Sequence, residues 1–176
     1  MSACLETNLP RVIGPGDYRS MPWKNGGGRT TEIAVSPRGA GLANFLWRAS
    51  IAQVERDGPF SAFPGVERTL VLLAGNGMRL SAPGATQVLR APWDVVQFAG
   101  EQAFACDLRD GPTRDFNLMV RRDAVRGALV VVRETARTLA GFDVLLCFAA
   151  SGAVECAVDA QPPIVLMPEH TLVIED

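Results

Sequence analysis

The sequence predicts an all-β protein, a sandwich or barrel of short strands. Three observations carry this. Apolar residues alternate with period two, and no stretch sustains a period of 3.6. Val- and Leu-rich runs recur at spacings of about ten residues. Gly, Pro and Asn dipeptides bound those runs. The stretch WRASIAQVERDGPFSAFPGVERTLVLLAGNGMRL, residues 47–80, shows all three. Its alternating segments, 47–54 and 68–74, flank Gly58-Pro59 and Pro64-Gly65, and the second ends at the turn Gly75-Asn76-Gly77. The first segment sets Arg48 and Ser50 on the face opposite Trp47, Ala49 and Ile51. Such a strand, followed by a loop bearing Phe60 and Phe63, has the pattern of the wall and lip of a ligand-holding barrel.

The elements follow in order. Residues 1–20 hold Pro10, Gly14, Pro15 and Gly16 around the short apolar run Val12-Ile13, which predicts an entry strand or extended arm and then a turn. Next comes MPWKNGGGRTTEIAV. Its triple glycine is not a phosphate loop, because no GK[ST] follows and the continuation is β-branched and alternating, hence a strand rather than a helix. The glycines fit a bulge or a close backbone approach. Trp23, Lys24 and Asn25 then form either a pocket lip or an ordinary hairpin turn. Further short strands are expected over 78–82, 86–91, 95–99, 103–108 and 116–122, with DLRDGPTRD as a charged turn before the last of these. Residues 123–127 suit a short turn of helix. Strands are then expected over 129–134, 143–150, 154–158 and 172–175, with Pro162-Pro163 and Pro168 in edges and loops.

Composition excludes several functions. The 176 residues, 48% of them apolar, suffice for one domain or two small ones sharing strands. A net charge of −2, with Arg interleaved among Asp and Glu, gives no basic face for nucleic acid. No apolar run approaches a membrane span, and the N-terminus lacks the basic and apolar regions of a secretory signal. Cys4, Cys106, Cys147 and Cys156 are widely spaced with no CxxC, the usage of small buried hydrophobes. The single histidine, His170, cannot supply a His-based metal set and reads as a turn residue before the last strand. No metal or cofactor is expected. No nucleophile elbow or Cys–His pairing exists, so no catalytic residue is assigned.

The strands bring a minority of polar residues into the interior: Glu32, Arg48 and Ser50, Arg68, and Asp115 with Asn117. Buried charges need partners. Arg48 with Glu32 or Asp115 makes a structural ion pair on one reading. On the other, an Arg offers its planar fork to a ligand carboxylate, with Asn117 or Ser50 adding neutral hydrogen bonds. Phe60 and Phe63 either line a cavity mouth or anchor the loop.

Three blocks, MPWKNGGGRTTEI, WRASIAQVERDGPFSAFPGVERTLVLLAGNGMRL and FAGEQAFACDLRDGPTRDFNLMVRR, together resemble the HutD/Ves family, in order and over about residues 21–122. The resemblance implies an all-β cupin-like barrel, an RmlC-like jelly roll. It also implies a bicupin arrangement: a pocket barrel over about 1–122, and a second cupin-like half over 123–176 that shares strands with it. It implies a cytoplasmic bacterial protein linked to histidine utilisation, binding a small carboxylate metabolite such as N-formylglutamate or formiminoglutamate. A separate branch of the family is associated with stress. Most cupins hold a metal with a His/His/Glu/His set; this chain has no His in segments 68–80 and 115–121. Carried over by position, the candidate ligand-binding residues are Trp23, Lys24, Asn25, Glu32, Trp47, Arg48, Ser50, Phe60, Ser61, Phe63, Arg68, Asp115, Asn117 and Met119. By analogy, cupin edge strands allow a homodimer.

Three readings result. The first is a metal-independent binder of a carboxylate. The second is an enzyme using Glu32 or Asp115 as acid or base on such a substrate. The third is a barrel scaffold with oligomerisation as its main trait, or a stress-associated β-barrel protein, without turnover.

Overall fold

The computed structural model describes residues 10–133, 140–159 and 161–175. These residues are all-β, with one three-residue 3-10 turn at Pro15–Asp17. The strands are β1 (Arg11–Ile13), β2 (Arg19–Pro22), β3 (Gly28–Ser36), β4 (Trp47–Val54), β5 (Gly58–Pro59), β6 (Val66–Ala74), β7 (Met78–Ala82), β8 (Ala85–Leu89), β9 (Val95–Ala99), β10 (Ala105–Leu108), β11 (Thr113–Arg121), β12 (Val144–Phe148), β13 (Val154–Cys156), β14 (Ile164–Leu166) and β15 (Thr171–Glu175). They fall into two units: Arg19–Val131, and the described residues up to Tyr18 and from Val132 onward.

In the larger unit a six-stranded sheet, β2-β3-β4-β11-β6-β9, faces a four-stranded one, β5-β10-β7-β8. All pairings are antiparallel. From β4 to β11 the chain passes repeatedly from one sheet to the other, so each sheet is built from strands distant in sequence. Between them lies a core of Leu70 and Leu72 from β6, Val96 and Phe98 from β9, and Met78, Leu80, Leu89 and Cys106 from the opposing sheet. Phe60 and Phe104 enter it from connecting loops. Phe98 and Phe104 meet edge to face, 5.0 Å between centroids. Burial drives the Cys106 thiol up to about 12, so it is an inert core group.

The triple glycine has a geometric reason. Gly26 adopts φ +68°, in the left-handed region, and a Cβ on Gly28 would stand 2.1 Å from the Gln53 carbonyl oxygen. Gly28 opens β3 and pairs with Val54, so the close backbone approach is the sheet contact itself. Gly28→Ala is therefore expected to destabilise by on the order of 2–3 kcal/mol in urea unfolding. Gly58→Ala, where nothing lies within 4 Å, is the neutral control. Equal stability of the two variants would contradict this account.

The sheet has bulges elsewhere. Register shifts fall between Glu32 and Ala34, where Ile33 is the extra residue on β3, and opposite Arg114 and Asp115, where Leu73 is the extra residue on β6. Bulges bend a strand and re-aim the side chains beside them, and each of these two adjoins an acidic residue of the polar cluster.

In the smaller unit β15 pairs with β1 on one side and β12 on the other, while β13 pairs with β14. The N-terminal strand thus belongs with the C-terminal residues, a pairing across about the whole chain that local pattern does not disclose. Tyr18 secures the end of this unit, its hydroxyl donating to the Glu169 carbonyl at 2.7 Å. His170 lies in the turn before β15, its Nδ1 3.1 Å from the Pro168 carbonyl. Cys147 and Cys156, which spacing alone does not pair, bring their Sγ atoms to 3.6 Å.

One expected element is absent. Residues 129–133 form no strand, and Val130 and Val132 are exposed; residue 134 lies outside the described residues. A β-branched run becomes a strand only where a neighbour offers a free edge. Residues 122–124 form a turn in which the Val125 and Ala124 amides donate to the Arg121 carbonyl. β2 and β14 are strands that the local pattern did not signal, each beside proline and each at an edge. No helix among the described residues is long and apolar enough to cross a membrane.

Candidate functional site

The inward face of the six-stranded sheet is polar where three central strands meet. Register places Glu32 beside Ser50, Ser50 beside Asn117, and Asn117 beside Leu70. The next row runs Arg48, Met119, Arg68, Phe98. Asp115 stands one row to the other side of Asn117, between Ala52 and Leu72. Arg48, Ser50, Arg68, Asp115, Asn117 and Met119 are all buried. The pleat dictates this grouping: residues 115, 117 and 119 share a face, as do 48 and 50.

Arg48 is the structurally engaged cation. Its Nε donates to Glu32 Oε2 at 2.7 Å and its Nη1 to Ser50 Oγ at 3.3 Å. With Arg48 only 4% exposed, this is a buried ion pair, and removal of either partner would strand the other charge.

Arg68 is held differently. Its guanidinium lies 5.2 Å from the Phe98 ring centroid, 5.3 Å from Phe60 and 5.6 Å from Phe63. Its Nη1 donates to the Ser61 carbonyl at 3.3 Å, while its buried Nε has no partner within the protein. A desolvated cation among three rings gains about 2 kcal/mol or more from their quadrupoles. Burial nevertheless lowers its pKa to about 10, with Asp115 opposing that shift and Arg48 adding to it. The group is charged at neutral pH and carries an unfilled donor.

Asp115 is fully buried, and neither carboxylate oxygen has a hydrogen-bond partner in the protein. Burial raises its pKa to about 7, and the charge of Arg68 restrains the rise. Asn117 Oδ1 is likewise buried and unpartnered. Buried polar atoms are rarely left this way. Here four such atoms, on Arg68, Asp115 and Asn117, occupy one face of one sheet.

The remaining candidates divide. Trp23 packs edge-on against Phe60 at 6.5 Å and anchors its Nε1 on Thr30 Oγ1 at 2.8 Å, so it buttresses the aromatic group. Ser61 is exposed and contributes its main-chain carbonyl, not its hydroxyl. Met119 separates the two arginines in register and packs with Phe45 and Val66. Three residues do not join the cluster. Lys24 is exposed, and Asn25 turns its Oδ1 back onto the Gly27 amide at 3.0 Å, closing the turn on itself. Trp47 is on the opposite face of β4 from Arg48, as alternation requires. Phe98 was missed: in VVQFA it reads as an ordinary core residue, and only the pairing of Phe98 with Arg68 sets it under the guanidinium. Among the described residues no three His, Cys, Asp or Glu side chains gather as a metal-holding group.

The HutD family model matches residues 16–176. The chain belongs to the HutD family. This HutD-family chain is 42% identical over 142 residues to an uncharacterized 21.2 kDa protein in the hutC 3′ region of Pseudomonas putida, covering 81% of this chain and 74% of that one. It is 37% identical over 126 residues to Protein Ves of Citrobacter koseri, covering 69% of this chain and 65% of Ves. Two solved structures share its fold over 95% of the chain. One is a conserved protein of unknown function from Pseudomonas aeruginosa PAO1, with TM-score 0.79, 35% identity and 87% of that chain covered. The other is HutD from Pseudomonas fluorescens SBW25, with TM-score 0.67, 29% identity and 88% of that chain covered.

Proposed function

We propose that this HutD-family protein is a cupin-type small-molecule binder that recognises a carboxylate metabolite with its own side chains, Arg68 foremost. The two-sheet unit is the pocket-bearing jelly roll of this reading, and the smaller unit is its second cupin-like half. The observation that carries the reading is the state of Arg68: buried, charged, gripped by three aromatic rings, and left with a free Nε beside unpartnered Asp115 and Asn117. A carboxylate supplies the acceptors that guanidinium Nε and Nη groups bind as a fork. Glu32 has already neutralised Arg48, so Arg68 is the cation open to a guest.

The family name and the hutC neighbourhood of the Pseudomonas putida relative support a place in histidine utilisation; on this reading the protein acts in the cytoplasm as an accessory or regulatory factor. N-formylglutamate and formiminoglutamate are the carboxylates to try first. Isothermal calorimetry with N-formylglutamate tests the reading. Saturable heat with one ligand per chain is expected, and no heat at millimolar ligand would overturn it.

A second reading has one observation behind it. A buried carboxyl with a pKa of about 7 and no partner is suited to proton transfer, so Asp115 is the acid or base of an enzymatic reading. Glu32 suits it less, because Arg48 occupies its Oε2. Turnover of formiminoglutamate that disappears in Asp115→Asn would favour that reading over simple binding.

A further inference from the structure

The smaller unit holds a thiol pair that the carboxylate reading does not use. Cys147 lies on β12 and Cys156 ends β13, so the two belong to different sheets. Register sets Cys147 beside Leu172 and Cys156 beside Ile164. All four residues belong to one apolar cluster, together with Ala149 and Leu166. Within it the two Sγ atoms stand 3.6 Å apart, in van der Waals contact. Both are free thiols and both are half-buried. Cys106 differs: it is fully buried in the other unit, with its Sγ on Met78 Sδ at 3.7 Å. No third His, Cys, Asp or Glu joins Cys147 and Cys156 to make a metal-holding group among the described residues.

A disulfide needs its sulfurs at about 2.05 Å, so the pair must close by roughly 1.5 Å. The position of Cys156 leaves room for that movement. It is the last residue of a three-residue strand in a two-stranded sheet, whereas Cys147 is fixed within β12 by its pairing with β15. We propose that Cys147 and Cys156 are a redox modification site: a small-molecule disulfide such as oxidised glutathione converts them to an intramolecular disulfide that fastens β13 and β14 to β12. Cys156, as a thiolate, attacks one sulfur of the oxidant. The oxidant's S–S bond breaks, and one small thiol leaves with the electron pair and takes up a proton. Cys147, deprotonated in turn, attacks the Cys156 sulfur of the mixed disulfide and expels the second small thiol. The two protein thiols have then lost two electrons and two protons, and one small-molecule disulfide has become two thiols. Burial pushes the Cys147 thiol up to about 12, which suits it to the second, resolving attack rather than the first. The bond acts where the core is thin: Ala149, Leu166 and Leu172 are fully buried in this cluster and the residues packed against them only partly.

The test treats the native full chain with excess oxidised glutathione, alkylates the thiols that remain and maps the peptides by mass spectrometry. The parent is expected to lose two hydrogens, to link Cys147 to Cys156 with Cys106 left free, and to recover both thiols in dithiothreitol. Cys147→Ser should instead hold a persistent glutathione adduct on Cys156, at least about tenfold more of it than the parent retains. Amide exchange across β13 and β14 should slow about tenfold or more in the oxidised form and stay unchanged in the two-sheet unit. A parent that keeps both thiols, carries stable adducts in place of the link, or bridges through Cys4 or Cys106 overturns the proposal. A link that leaves exchange in β13 and β14 unaltered overturns the fastening. The parent's peptide map decides by itself if the serine variant does not fold.

Discussion

Asp115→Asn is expected to stabilise the protein by about 4 kcal/mol at pH 8 and by only about 0.6 kcal/mol at pH 4. Burial lifts the carboxyl from its ordinary value of 3.8 to about 7, and the restraining charge of Arg68 is already included in that figure. Below the unfolded value both states hold the proton, and the parent carries no penalty. Between the two values the unfolded chain releases its proton while the native state retains it, so stability falls as pH rises. Above about 7 both states are ionised and the full difference is present, roughly three pK units at about 1.4 kcal/mol each. Asn keeps the shape, never ionises and is spared the loss. Urea unfolding of both proteins at pH 4, 6 and 8 reads the difference directly. A difference independent of pH, or a variant weaker than the parent at pH 8, would contradict the account. A buried ionisable group kept at such a cost to stability is what a functional site looks like.

Arg68→Met is expected to hold stability within about 1 kcal/mol of the parent, or to raise it, and to weaken carboxylate binding at least about 100-fold. The substitution removes a desolvated charge whose hydrogen bond in the protein is one contact to the Ser61 carbonyl. An unbranched thioether fits among Phe60, Phe63 and Phe98 and keeps favourable contacts with the rings. Arg68→Lys is the companion variant: it keeps the charge but loses the planar fork and the Nε donor, so binding should weaken tenfold or more. Thermal unfolding and calorimetry on the same samples separate the two effects. Collapse of the fold in Arg68→Met would make Arg68 structural, and unchanged affinity would place the ligand elsewhere.

The contrast with Arg48 shows why residue type alone did not decide between an ion pair and a ligand site. Both arginines alternate into the same face of the same sheet. Arg48 stands one row from Glu32, and the bulge after Glu32 aims that carboxylate at it. Arg68 pairs laterally with Phe98 instead. Period-two reading found the longer strands, missed β2 and β14, and put 48 with 50, and 115 with 117 and 119, on shared faces. The pattern alone does not force the polar face to be the interior one, because both faces carry buried residues: Ala49, Ile51 and Val71 lie on the face away from Arg48. It could not see bulges, which are properties of a pair of strands rather than of one. From the pattern, Trp23, Lys24 and Asn25 fit a pocket lip and an ordinary hairpin turn equally. The turn satisfies itself through Asn25 and Gly27, and the Trp packs against the core. The segment 129–133 failed as a strand for want of a partner, and β1 joined β15 because a partner was there.

The central claim is that the guanidinium of Arg68 grips a carboxylate from solution. Proton–nitrogen correlation spectra of the arginine Nε–H groups test it most directly, with the Arg68 signal assigned by its disappearance in Arg68→Met. On titration with N-formylglutamate that resonance should move and saturate at the same dissociation constant that calorimetry gives, while the Arg48 signal, already held by Glu32, stays in place. An Arg68 Nε–H that does not move as the ligand saturates the protein would contradict the claim.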